Sequence, residues 1–154
     1  MADPHEQGRV SRDHYYRKTE VRGRMFAILD WAVDDRGLNL MPHISRAVRR
    51  GDILELITTD EEGKRTGVIV DQIATIGFME VTEAGLLLKG DTLSIDKEDI
   101  GEVIGFDETH MPNHLNVVIL VTHRRTGKES EIKLDATVKF SPIVEEETDK
   151  QMGF

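Results

Sequence analysis

Leu115-Asn116-Val117-Val118-Ile119-Leu120-Val121-Thr122 holds six apolar side chains in eight residues, mostly β-branched, which favours a strand. In an extended strand, alternate residues face opposite sides, so this run is apolar on both faces. One face fills an interior, and the other lies under a neighbouring element or under another subunit. The second alternative is the ground for expecting a homodimer.

Working outward, the same reading repeats along the chain. Val21 to Val33, with Met25, Phe26, Ile28, Leu29 and Trp31, is a long, partly alternating strand that ends at Asp34-Asp35-Arg36-Gly37. Ile53 to Thr58 and Thr66 to Val70 flank the turn residues Asp60-Glu61-Glu62-Gly63 and read as a hairpin. Further strands are expected at Ile73 to Val81, Leu86 to Leu88, Thr92 to Ile95, Glu102 to Phe106 and Ser130 to Val138. Between Leu38 and Arg50, Ile44, Ala47 and Val48 stand at helical spacing behind Pro42, so a short helix or helical turn is expected there. Short strands at near-regular spacing, punctuated by Gly and Asp, argue for an all-β fold. The expectation is a small antiparallel β-barrel of about eight strands, closed or partly open, over residues 19–141. A polar, aperiodic arm (1–18) precedes it and an acidic tail (142–154) follows.

A chain of 154 residues buries a sizeable single core without covalent help. It has no cysteine, which excludes disulfides, thiolate catalysis and zinc–thiolate sites, and any metal must rest on nitrogen and oxygen. That composition fits a reducing cytoplasm. No apolar run is long enough for a membrane-spanning helix, and the N-terminus lacks the apolar stretch of a secretion signal, so no membrane partner is expected. The 29 acidic and 20 basic residues give a formal charge of -9, which opposes binding to phosphate backbones; with few aromatics to stack bases, nucleic acid is not an expected partner. Arg46, Arg49 and Arg50 form a local basic knot against that background.

The chemistry concentrates in Gly105-Phe106-Asp107-Glu108-Thr109-His110-Met111-Pro112-Asn113-His114-Leu115-Asn116-Val117, two histidines, two carboxylates and two carboxamides between strand-like runs. Fully extended, His110 and His114 would stand roughly 13 Å apart. A turn with Pro112 and Asn113 at its two central positions brings them together. One reading is then a divalent transition metal (zinc, iron, manganese or nickel) on His110, His114 and either a carboxylate or His43. Another is metal-free acid–base work by His110 or His114 with Asp107 or Glu108. In both, Arg46, Arg49 or Arg50 clamps a small anionic molecule, and Asn113 and Asn116 orient it. The same residue types also build a satisfied turn that needs no ligand.

The segment from Gly105 to Asn116, together with Asp35-Arg36-Gly37 and Pro42-His43, resembles a small family of uncharacterised bacterial β-barrel proteins over about Gly23 to Phe140. The resemblance implies a bacterial single-domain β protein and no particular activity. Gly51-Asp52 and Gly90-Asp91 ahead of strands also look like the strand openings of translation-factor-type barrels, a likeness of fold alone. The functional expectation is a small-molecule enzyme of lyase, isomerase or hydrolase type, with Glu108, Asp107, His110 and His114 as its catalytic group. The alternative is a non-catalytic ligand-binding or assembly barrel.

Overall fold

A computed structural model describes residues 18–62 and 68–143. The expected arm and acidic tail lie outside the described residues, apart from Lys18, Pro142 and Ile143. In chain order the elements are β1 (Val21–Val33), β2 (Leu38–Asn39), β3 (Ser45–Val48), β4 (Ile53–Thr59), β5 (Ile69–Val70) and β6 (Ile73–Glu83). Then come β7 (Gly85–Leu88), β8 (Thr92–Ile95), β9 (Glu98–Asp107), β10 (Leu115–Leu120) and β11 (Thr137–Ser141).

Seven strands close into a barrel in the order β1-β11-β8-β9-β10-β4-β6, and two ribbons, β2–β5 and β3–β7, lie outside that ring. The fold is all-β and closed, but the barrel is mixed rather than antiparallel: β10 runs parallel to β4, with Leu115 opposite Leu54 and Leu120 opposite Thr59. A parallel pair needs a long connection, and β5 to β9 supply it. The expected hairpin between Ile53–Thr58 and Thr66–Val70 does not form, because β4 pairs with β6 and β10 while β5 pairs with β2.

Two further expectations are corrected. No helix occurs among the described residues, and Ser45–Val48 is a strand paired with β7. Only Val48 of the Ile44, Ala47, Val48 trio is buried, so the trio never shared one face, and pairing with Gly85–Leu88 overrides the local spacing. Residues 130–136 are turns instead of a strand. Ser130, Glu131 and Ile132 donate their N–H groups to the carbonyls of Thr126, Lys128 and Gly127, and Glu131 and Asp135 have φ of 56° and 65°.

The barrel core draws Leu115, Val117 and Ile119 from β10, Met25 from β1, Leu54 and Leu56 from β4, and Phe106 and Phe140 from β9 and β11. Val48 and Leu87 of the β3–β7 ribbon join the same cluster. A second cluster sits on the outer face of β9 and β10, where Val118 and Ile104 meet Leu38, Leu40 and Val70 of the β2–β5 flap. Each such side chain withdrawn from water contributes roughly 1.5–3 kcal/mol. The chain's own flap therefore covers the outer side of β10, which takes away the feature that suggested a second subunit.

The flap is fixed by backbone bonds as well as by packing. Leu40 N–H donates to Val68 C=O and Met41 N–H to Phe106 C=O. Leu40 rests on Gly105, where a Cβ would stand 3.2 Å from its methyl groups. This seam sets Asn39 and Arg36 beside the loop that joins β9 to β10.

Candidate functional site

The 108–114 loop leaves β9 at Asp107 and enters β10 at Leu115. Asp107 and Asn116 are register partners on the two strands, and both are fully buried. Asp107 accepts four hydrogen bonds: from Thr109 N–H and Asn116 Nδ2 on Oδ1 (3.0 Å each), and from Thr109 Oγ1 (3.0 Å) and Asn39 N–H (3.2 Å) on Oδ2. Burial raises its pKa, but these bonds to the charged form outweigh it and hold the carboxyl below the ordinary aspartate range. Asp107 is thus a fully engaged anchor of the loop, with no lone pair turned toward a ligand. Asn116 is buried behind the loop with its Oδ1 unpartnered among the described residues.

Beyond the anchor, Asn113 N–H closes a turn onto His110 C=O at 2.8 Å. Pro112 is therefore the third residue of a turn over 110–113 rather than the second of the next one, a shift of one position from expectation. The turn stacks the two imidazoles with centroids 4.9 Å apart and planes 28° apart. His114 also meets Phe78 of β6 edge-on at 5.0 Å, and Phe78 stacks with Phe26 of β1 at 6.3 Å. An aromatic ladder thus seats the loop against the outer barrel wall.

The bonded nitrogens of the two rings are engaged by groups other than each other. His114 Nε2 lies 3.1 Å from Glu55 Oε1 of β4, a carboxylate that is itself nearly buried, while Nδ1 lies 2.7 Å from Asn113 Oδ1. His110 Nε2 faces the Arg36 guanidinium at 3.2 Å. Arginine only donates, so this nitrogen accepts and the proton of a neutral His110 ring sits on Nδ1. A cation beside His110 would meet the positive charge of Arg36. His43 lines a second, smaller cavity and not the cleft beside His114, and among the described residues no three His, Asp or Glu side chains are placed to hold a metal ion.

What the fold does assemble is a cleft of about 360 Å³ between β3 with its following turn and the 111–114 loop. Arg46, Arg49, Asp52, Met111, Asn113 and His114 are among its walls. Asp52 is occupied in the turn, accepting the Arg49 N–H at 2.8 Å. Arg46 is ion-paired with Glu108, whereas the exposed Arg49 guanidinium has no carboxylate partner among the described residues. Arg50 is exposed next to it but does not line the cleft. Arg46 also lines the neighbouring cavity of about 130 Å³, with His43, Ser45, Phe106 and Glu108.

Of the residues singled out in the sequence, then, Arg46, Arg49, Asn113 and His114 meet in one cleft, and His110 backs His114. Asp107 and Asn116 lie behind it as structure, Glu108 is bound to Arg46, and His43 and Arg50 are outside. The reading missed Glu55, Arg36 and Phe78. Glu55 had a visible signal, a lone carboxylate inside Ile53-Leu54-Glu55-Leu56-Ile57, where an unpaired charge would be costly. Arg36, in the β1–β2 connection, and Phe78, on β6, are distant in sequence and carry no local signal. No curated protein and no solved structure matches the chain. A family of unknown function (DUF6917) matches residues 15–141, and the chain belongs to that family.

Proposed function

We propose that this chain binds a small anionic molecule in the cleft between β3 and the 111–114 loop, as a ligand-binding barrel. The observation that carries this reading is the convergence of Arg46, Arg49, Asn113 and His114 on one cavity of about 360 Å³, within the size range of small-molecule sites. Arg49, unpaired with any carboxylate among the described residues, supplies the planar donor set suited to a carboxylate or phosphate. Asn113 adds an exposed amide at the rim, and Met111 and Pro112 give the ligand's carbon frame an apolar wall.

Binding is favoured over turnover because both nitrogens of His114 already have partners, which leaves no ring nitrogen free for proton transfer. A catalytic version has one observation in its favour, the nearly buried Glu55 behind His114, which is how an orienting carboxylate stands behind a general base. It requires Asn113 to yield Nδ1 to the ligand.

The test is titration of ¹⁵N-labelled protein with acetate, butyrate and inorganic phosphate at low salt. The expected result is saturable shifts at Arg49, Asn113 and His114, weakened at least about tenfold in Arg49→Gln by loss of a charge-assisted pair. Unmoved signals at these residues with all three anions would end the proposal.

A further inference from the structure

We infer that the ligand carries two anionic groups, and that Glu108 occupies the place of the second one while the site is empty; this rests on the cleft reading above. Arg46 and its neighbour Ala47 line both the larger cleft and the cavity of about 130 Å³, so the two spaces share a wall at β3. The larger space holds Arg49 and Asn113, and the smaller holds His43, Ser45 and Glu108.

At that shared wall Arg46 is held by a carboxylate. Glu108 pairs with Arg46 across 62 residues of sequence, and the two side chains are 35% and 30% exposed. An ion pair that exposed contributes little net stability, so replacing Glu108 by the carboxylate of a ligand is close to an even exchange. The two guanidinium groups differ in what holds them: Arg49 has no carboxylate partner among the described residues, whereas a ligand group takes Arg46 by displacing Glu108. The smaller cavity, about 130 Å³, has room for a carboxylate beside Arg46, which makes a short-chain dicarboxylate or a comparable dianion the fitting class.

The experiment compares butyrate with malonate, succinate and glutarate on the full chain, by calorimetry and by ¹⁵N shifts. At least one dicarboxylate is expected to bind at least tenfold more tightly than butyrate, and only dicarboxylates are expected to move His43 and Ser45. Glu108→Gln, which frees Arg46, is expected to tighten dicarboxylate binding severalfold more than butyrate binding, while Arg46→Gln removes the dicarboxylate advantage. A native-like ¹⁵N spectrum establishes that each variant is folded. Butyrate binding as tightly as every dicarboxylate, in wild type and in Glu108→Gln, overturns the two-anion inference alone. Binding of neither class overturns the cleft reading with it.

Discussion

Asn116 donates its Nδ2–H to Asp107 Oδ1 at 3.0 Å, from the second residue of β10 to the last residue of its neighbour β9. The pair fixes where the 108–114 loop starts and ends, and the loop side of the cleft depends on it. Because the pKa of Asp107 is depressed on folding, its stabilisation is present above the ordinary aspartate value and is lost as pH falls through the lower, folded value. Asp107→Asn should cost about 3 kcal/mol at neutral pH by leaving buried donors unmatched. Urea unfolding across an acid series checks it: the gap between wild type and variant should close at low pH, and parallel curves would contradict the account.

Asn116→Asp should be worse than Asn116→Ala. The aspartate sets a second carboxylate against Asp107 in a buried site, and removing the amide donor leaves two like charges to share it. We expect roughly 3 kcal/mol or more at neutral pH, relieved on acidification as one carboxyl takes a proton. Thermal melts of both variants at two pH values decide this, and an Asn116→Asp protein that is no more acid-tolerant than Asn116→Ala would count against it.

The sequence was legible where patterns were local. Val21–Val33, Thr92–Ile95 and the two-faced run from Leu115 onward announce strands through composition alone. It misled where partners are distant. Ser45–Val48 has helical spacing but becomes a strand because Gly85–Leu88 waits beside it, and the parallel pairing of β10 with β4 leaves no trace in either segment. The loop chemistry was legible as a concentration of polar groups, but not its division of labour. Asp107 and Glu108 are adjacent in sequence, yet one is consumed by four hydrogen bonds and the other by Arg46, and only tertiary contacts assign those fates.

Gly77 should tolerate no side chain. It has φ of 153° at the bulge where β6 crosses β1 and β4, and a Cβ there would stand 2.1 Å from Ala27 C=O. Backbone cannot yield as a flexible side chain does, so Gly77→Ala must open the β1–β6 seam. A loss of about 2–4 kcal/mol is expected from chemical denaturation, and a change under 0.5 kcal/mol would show that the seam is not closed as described.

Leu40→Ala should loosen the flap without opening the barrel. Leu40 is fully buried in the outer cluster with Leu38, Val70 and Val118, and no interior barrel residue replaces it. A cost of about 3 kcal/mol is expected. Hydrogen exchange should speed at Leu40 and Met41, whose N–H groups bind Val68 and Phe106, well before it does in β6. Uniform acceleration across both clusters would mean that the flap and barrel unfold as one unit.

Glu55→Leu isolates what the carboxylate behind His114 contributes. Leucine keeps the apolar bulk beside Phe78 but removes the acceptor of His114 Nε2, so the ring keeps its edge contact and loses the bond that fixes its orientation. One hydrogen bond of this kind is worth about 1 kcal/mol, so anion affinity should fall about fivefold, less than on removing Arg49. If Glu55 only positions the ring, acetate-induced shifts at Arg49 survive in Glu55→Leu while those at His114 shrink. Complete loss of binding in Glu55→Leu, with Arg49→Gln unaffected, would place the anion against His114 instead of the guanidinium.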